Sequence, residues 1–119
     1  MKNLESKRAI ITGGAGAIGQ TTARHFLDEG AQHVVLVDLD EDTLKQATSE
    51  LGDERVSYVV ADVTQSEDVQ HYASEAQERM GGIDIFFNNA GIEGEVKPLA
   101  EYPEDTFDQV MAVNVKGMF

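Results

Sequence analysis

Ala9-Ile10-Ile11-Thr12-Gly13-Gly14-Ala15-Gly16-Ala17-Ile18-Gly19 is the stretch that decides the fold of this chain. A short apolar run breaks into glycines and then into a helical pattern, which predicts a strand, a tight turn and the start of a helix. Glycine suits such a turn because it adopts backbone angles that side chains resist and lets the chain approach a ligand closely. The N–H groups and the positive dipole end of the following helix favour an anion such as a pyrophosphate. We therefore predict a phosphate-binding turn that includes Gly13, Gly16, Ala17 and Gly19, although a glycine pattern of this kind can also form a simple turn.

The composition limits the classes of partner. The 119 residues contain 22 acidic and 9 basic side chains, and the formal net charge is −13. Such a charge repels phosphate backbones and anionic lipid, so we expect neither nucleic acid nor a membrane surface as a partner. The length predicts one domain, residues 1–119. With no cysteine, no signal-peptide pattern and no long apolar stretch, the expected location is the cytoplasm.

Short apolar runs alternate with longer amphipathic ones along the whole chain, which is typical of a βαβα protein. Strands are predicted at Arg8–Thr12, His33–Val37, Val56–Val60 and Ile83–Phe87. Helices are predicted at about Ala17–Glu29, from a cap at Asp40 or Asp42 to Leu51, at Ser66–Met80, and from near Glu104 onward, still running at Phe119. Right-handed crossovers give an α/β fold with a doubly wound parallel sheet of Rossmann type in the order 3-2-1-4.

Asp38 follows Gly19 by nineteen residues and ends the second predicted strand. In dinucleotide-binding folds an acid at this place accepts hydrogen bonds from the adenosine ribose hydroxyls. A carboxylate also repels a 2′-phosphate, and neither Leu39 nor the segment 14–16 supplies a base to neutralise one. We therefore predict NAD rather than NADP as the cofactor, with Asp38 and Leu39 in its site. The alternative is that Asp38 is simply an acid at a strand end.

Asp62 and Val63 follow the third predicted strand and reach the same edge of the sheet. They are placed for an adenine amino group and for a hydrophobic wall beside the base. The alternative for Asp62 is the cap of a turn, a common role for a single aspartate.

Two further motifs connect the chain to a known family. The fourth strand ends in Asn88-Asn89-Ala90-Gly91, and the fourth helix contains Val113-Asn114-Val115-Lys116-Gly117. With the glycine turn, Asp38 and Asp62-Val63, these motifs closely resemble the classical short-chain dehydrogenase/reductase family in order and spacing, over essentially the whole chain. The resemblance implies an NAD-dependent oxidoreductase that moves a hydride between nicotinamide and a small-molecule secondary alcohol or ketone.

The resemblance also implies roles for single residues. The Asn88 position steadies the sheet, and the Ile18 position lies beside the pyrophosphate. The backbone of Asn89, Ala90 and Gly91 lines the ribose side of the cofactor. Asn114 belongs to the family's catalytic tetrad, where it holds a water in a proton relay. The alternatives are a strand-end turn for the asparagines of the first motif and a polar helix face for Asn114. A homo-oligomer through the third and fourth helices is also implied.

The sequence departs from the family pattern in two places. Ala17 stands where the family's usual TGxxxGxG turn has glycine, and the resulting TGxxGxxG spacing resembles the extended branch of the superfamily. In addition, the family's general base is a tyrosine with a lysine four residues on, assisted by an upstream serine. The residues four positions after Tyr58, Tyr72 and Tyr102 are Asp62, Ala76 and Thr106, and no serine follows Ser74.

Ala17 is interpreted as a tolerated variant of the turn. The missing serine and tyrosine-lysine pair predict that the chain is the N-terminal, cofactor-binding portion of such an enzyme, truncated after four strands and inactive alone. Phe86 and Phe87 would then lie on an uncovered sheet edge. A non-catalytic nucleotide-binding or assembly module is the alternative, and an S-adenosylmethionine methyltransferase is a less favoured one. The three histidines are too scattered for a metal site, so none is predicted.

Overall fold

The computed structural model describes residues 2–119 of the chain. Its strands are β1 (Arg8–Thr12), β2 (His33–Asp38), β3 (Val56–Val60) and β4 (Ile85–Phe87). Its α-helices are α1 (Ala17–Asp28), α2 (Glu41–Leu51), α3 (Ser66–Met80) and α4 (Glu104–Met111). A 3₁₀ turn at Leu99–Glu101 precedes α4, and a π-helical turn at Ala112–Lys116 follows it.

The four strands form one parallel sheet in the order β3-β2-β1-β4, which confirms the predicted fold class and strand order. Thr12 pairs with Val37 at the carboxyl ends of β1 and β2, and Val37 pairs in turn with Val59 of β3. The loops that follow these strands therefore leave the sheet at one common edge, where ligands bind in open α/β sheets.

Helices cover both faces of the sheet. One buried cluster joins Ile11 and Leu36 to residues of α1 and α2, among them Leu27 and Leu44. A second cluster joins strand residues such as Val35 to α3. The central strand β2 is buried on both faces from Val34 to Val37, as expected for a parallel strand between two helical layers.

The predicted fourth strand, Ile83–Phe87, began two residues too early. Ile83 and Asp84 precede the strand, which begins at Ile85. The Asp84 carboxylate accepts hydrogen bonds from the backbone N–H of Arg8, at 2.9 Å, and from Arg8 Nε, at 2.8 Å. A backbone hydrogen bond also joins the Asp84 N–H to the carbonyl of Arg8. This segment is therefore held to the start of β1 by an ion pair together with backbone hydrogen bonds.

The prediction for the fourth helix was wrong at its end. The helix changes to π-helical bonding at Ala112 and stops at Lys116 instead of running to Phe119. Gly117 donates its N–H to Ala112 and packs so closely on Val63 that a Cβ would lie 2.8 Å from Val63 Cγ2. The remaining bounds agree to within one residue, and Asp40 is the cap of α2, since its carboxylate accepts the N–H of Asp42.

The Arg8–Asp84 ion pair makes the stability of the fold depend on pH. Hydrogen bonds from the Arg8 side chain and backbone lower the pKa of Asp84 from 3.8 to about 2. Because folding lowers this pKa, the ion pair stabilises the fold above pH 3.8, and the contribution is lost as the pH falls toward 2. We expect D84N to lower the free energy of unfolding at pH 7, with a difference from wild type that shrinks between pH 3.8 and about 2.

Urea unfolding at a series of pH values measures this difference. E78Q is the matched control, because Glu78 has no salt-bridge partner within residues 2–119. A D84N deficit that is equal at pH 7 and pH 2 would show that the charge of Asp84 does not stabilise the fold.

Candidate nucleotide-binding site

A cavity of about 490 Å³ lies at the common edge of the sheet, over the carboxyl ends of β1, β2 and β3. All the predicted cofactor-binding residues except Gly19 line it: Gly13, Gly16, Ala17, Ile18, Asp38, Leu39, Asp62, Val63, Asn89, Ala90 and Gly91. The structure thus brings together positions that are spread over nearly eighty residues of sequence.

Three glycines of the turn have structural reasons to be glycine. Gly13 has a positive φ of 66°, a backbone conformation that side chains disfavour. A Cβ on Gly14 would lie 2.7 Å from Leu36 Cβ. Gly19 is buried, and its Cβ would meet the backbone of Gly13 and Gly14. Gly19 therefore lies beneath the turn, where it allows α1 to pack closely against the strand end, and does not line the cavity.

Gly16 is different, because it has free space around it. Apart from its two chain neighbours, the one heavy atom among residues 2–119 that its Cβ would approach within 4 Å is the Gly13 carbonyl oxygen, at 3.4 Å. Gly16 is the N-cap residue of α1, with extended backbone, no side-chain cap and no acidic residue in the first helical turn. The N–H groups of Ala17 and Ile18, which line the cavity, have no acceptor among residues 2–119, so the site fits an anionic group at the positive end of the helix. Ala17 and the exposed Ile18 form this first turn.

Asp38 lies beside the glycine turn. Its Oδ2 accepts the backbone N–H of Ala15 at 3.0 Å, and its Oδ1 accepts the N–H of Leu39 at 2.8 Å. A carboxylate has about four acceptor positions, so both oxygens keep capacity for ligand hydroxyls. Asp38 is thus both a turn-stabilising acid and a residue of the cavity wall.

Asp62 also has two functions in the structure. Its Oδ1 accepts the N–H of Thr64 at 2.9 Å and the Thr64 hydroxyl at 2.6 Å, which is the turn-capping arrangement. Its own N–H is donated to Asp68, at 2.8 Å. Oδ2 has no hydrogen-bond partner in the part of the chain that the structure describes, and Asp62 and Val63 both line the cavity.

Thr12 is a site residue that the sequence reasoning missed. It is the one polar side chain among the buried residues described, and it lies at the end of β1. Its hydroxyl oxygen accepts the N–H groups of Asn89 and Ala90, at 3.0 and 3.1 Å. The only signal in the sequence is a polar residue that ends an apolar strand. Through Thr12, the loop after β4 is fixed to the glycine turn.

The two asparagines implied by the resemblance act on the backbone. Asn88 donates from Nδ2 to the carbonyl of Met118 at 2.7 Å, which ties the end of β4 to the C-terminal turn. Asn114 pairs with both backbone groups of Ile92: Nδ2 donates to the carbonyl and Oδ1 accepts the N–H, each at 2.8 Å. Asn114 itself does not line the cavity.

Other wall residues were not predicted from the sequence: Val37, Ala61, Ile92, Gln109 and Val113. Val37 and Ala61 directly precede the predicted acids, so the strand ends could have indicated them. Gln109 and Val113 reach the cavity through the packing of α4 and the π-helical turn, which no local pattern reveals.

The charges of the wall are acidic only. Asp38 and Asp62 line the cavity, and no lysine or arginine within residues 2–119 does so. No group of three or more histidine, aspartate or glutamate side chains that could hold a metal ion occurs among the described residues. A helix long and apolar enough to cross a membrane is likewise not found between residues 2 and 119.

Comparison with known proteins identifies relatives over almost the whole chain. The family model described as short chain dehydrogenase matches residues 7–119. The uncharacterized oxidoreductase YxbG of Bacillus subtilis is 38% identical over 122 residues, covering 100% of this chain and 44% of the relative. Momilactone A synthase of Oryza sativa is 40% identical over 119 residues, covering 99% of this chain and 43% of the relative.

Solved structures share the fold. An NAD⁺-bound xylitol dehydrogenase superimposes with a TM-score of 0.93 at 36% identity, covering 99% of this chain and 46% of that one. A 3-ketoacyl-(acyl-carrier-protein) reductase of Brucella melitensis, complexed with NADH, gives 0.91 at 33% identity, with coverages of 97% and 47%.

The chain spans less than half the length of these curated relatives. Within that span the family model, the sequence identities and the superposed sheets agree with one another. The chain belongs to the short-chain dehydrogenase family of oxidoreductases.

Proposed function

We propose that the cavity binds NAD(H) and that the chain is the dinucleotide-binding half of an oxidoreductase acting on a secondary alcohol or ketone. The observation that carries the proposal is the wall of the cavity. The Asp38 carboxylate adjoins the glycine turn there, and none of the basic side chains among the described residues lines the cavity. A carboxylate suits the two free ribose hydroxyls of NAD and repels the 2′-phosphate of NADP.

Each part of the cavity wall suits one part of the dinucleotide. The N–H groups at the start of α1, with the open space at Gly16, suit the pyrophosphate. Asp38 suits the adenosine ribose, and Asp62 with Val63 suits the adenine. The backbone of Asn89, Ala90 and Gly91 suits the ribose next to nicotinamide. The bound nicotinamide would supply or accept the hydride.

Asn114 is the one member of the family's catalytic tetrad that we assign in this chain. The family's serine and tyrosine-lysine pair have no counterpart in the sequence, so the 119 residues alone would bind the cofactor without a proton donor for the substrate. We expect no turnover by this chain alone. A cytoplasmic location and a homo-oligomer remain part of the proposal.

The second candidate is a non-catalytic nucleotide-binding or assembly module, which would use the same cavity. Turnover when a C-terminal segment of a relative with its serine, tyrosine and lysine is added would favour the oxidoreductase, and NAD binding without turnover would favour the module. Membership of the dehydrogenase family leaves the methyltransferase alternative without support.

Cofactor choice tests the role of Asp38. In calorimetric titrations we expect the wild-type chain to bind NAD at least about tenfold more tightly than NADP, because a like charge meets the 2′-phosphate. D38N should weaken NAD binding about tenfold to a hundredfold, since bonds to an ionised acceptor are replaced by weaker ones. It should also narrow the preference for NAD over NADP.

D40N is the matched control for this titration. Asp40 lies two residues away and caps α2, but it does not line the cavity. An equal loss of NAD affinity in D40N and D38N would indicate a general charge effect instead of ribose recognition, and NADP binding as tight as NAD would refute the cofactor assignment.

The open space at Gly16 tests the pyrophosphate position. Serine is a preferred N-cap residue and glycine is only slightly less favourable, so G16S should leave the stability of the fold unchanged or raise it by a few tenths of a kcal/mol. The same hydroxyl would compete for the helix N–H groups and fill the space, so NAD affinity should fall at least about tenfold. Thermal unfolding and calorimetry measure the two effects on one variant. Full NAD affinity in a folded G16S chain would place the phosphates elsewhere.

A further inference from the structure

Ala15, in the middle of the glycine turn, is held on both sides by side chains from other parts of the site. Its N–H is donated to Asp38 Oδ2 at 3.0 Å, and its carbonyl accepts a hydrogen bond from Gln20 Nε2 at 2.8 Å. Asp38 comes from the end of β2 and Gln20 from the first turns of α1. The peptide groups before and after Ala15 are therefore each fixed by one side chain.

The turn needs such support because its own sequence does not fix it. Gly13, Gly14 and Gly16 surround Ala15, and glycine loses more backbone entropy on ordering than any other residue. Other bonds also hold the turn: Gly14 N–H to the Val37 carbonyl at 3.0 Å, Gly16 N–H to the Gly13 carbonyl at 3.2 Å, and a long bond of 3.5 Å from Asn89 Nδ2 to that same Gly13 carbonyl. A rotation of the peptide between Ala15 and Gly16 would break the Gly16 N–H bond to Gly13 and disturb the N-cap residue of α1, which lines the cavity.

We infer that Gln20 and Asp38 together form a clamp on Ala15 that sets the turn in its phosphate-binding shape before a nucleotide arrives. Gln20 is then a positioning residue for the pyrophosphate, although it does not line the cavity. Asp38 then has a second role besides ribose recognition. Because the same carboxylate also holds the turn, a change at Asp38 would affect both the adenosine and the pyrophosphate parts of the site. This inference rests on the proposed nucleotide site.

Charge and positioning predict opposite results at Asp38. If the carboxylate acted on phosphates only through its charge, its removal would improve the binding of inorganic pyrophosphate. If it holds the turn, D38A should weaken pyrophosphate binding. D38N keeps an oxygen that can accept the Ala15 N–H, so it should retain pyrophosphate affinity while losing affinity for adenosine.

Gln20 gives the cleaner test because it touches no part of the proposed adenosine site. Q20M keeps the length of the side chain and its helix propensity but removes the donor to Ala15. We expect the Kd for pyrophosphate and for NAD to rise by the same factor, about threefold to tenfold, as for the loss of one hydrogen bond. The Kd for adenosine should not change, whereas a general loss of structure would raise the Kd for all three ligands.

Q46M is the matched control, since Gln46 also donates a side-chain hydrogen bond on a helix, to Glu50, but lies outside the cavity. It should leave all three dissociation constants at their wild-type values. NMR titration of the labelled chain with pyrophosphate, adenosine and NAD measures them. Unchanged pyrophosphate binding in Q20M, or tighter binding in D38A, would overturn the clamp.

Amide hydrogen exchange tests the clamp without a ligand, so its failure can be told apart from failure of the NAD proposal. The Ala15 amide should be protected in the wild type and in D38N, and should lose most of this protection in D38A, with the Gly14 amide as the internal reference. A chain that fails to bind NAD but shows these changes would refute the cofactor and keep the clamp. Equal Ala15 exchange in the wild type and D38A would refute the clamp.

Discussion

The close approach of the glycine turn to β2 is the constraint on which the rest of the site depends. Gly14 packs against Leu36 and donates its N–H to the Val37 carbonyl, which leaves no room for a side chain at this crossing. The parallel register that pairs Thr12 with Val37 puts the turn beside the next residue of β2, Asp38. From this one contact follow the orientation of α1, the position of its free N–H groups and the acid that borders them.

The acidic charge of the chain limits the groups that can attract an anion to the site. A net charge of −13 repels a dinucleotide at long range, and the described cavity wall has no basic side chain. Attraction of an anion must then come from the N–H groups at the N-terminal end of α1, and the field of these groups falls off within about one turn of the helix. Such a site depends on geometry more than on charge, so the bonds that shape the turn matter as much as the groups that would touch the ligand.

The sequence predicted most of the fold because its signals were local. The glycines, the continuous apolar run of β2 and the acids at the strand ends are each typical of their local structure. Together they place the candidate site at the edge of the sheet where the cavity lies. Features that depend on distant contacts were not predicted. Gly19 is buried because it packs against the Gly13 carbonyl, and Asp84 precedes β4 because it forms an ion pair with Arg8. The roles of Thr12 and Gln109 arise only when β4 and α4 have packed.

Asn114 shows how the structure narrows a role that the sequence alone leaves broad. Its side-chain oxygen and nitrogen are both paired with the backbone of Ile92, so the amide fixes the loop after β4 against the π-helical turn. Carbonyl groups in the last turn of a helix lack partners within that helix. If Asn114 takes part in a proton relay, its backbone carbonyl is therefore better placed to hold a water than its side chain. The side chain would then act indirectly, by holding Ile92 at the cavity wall.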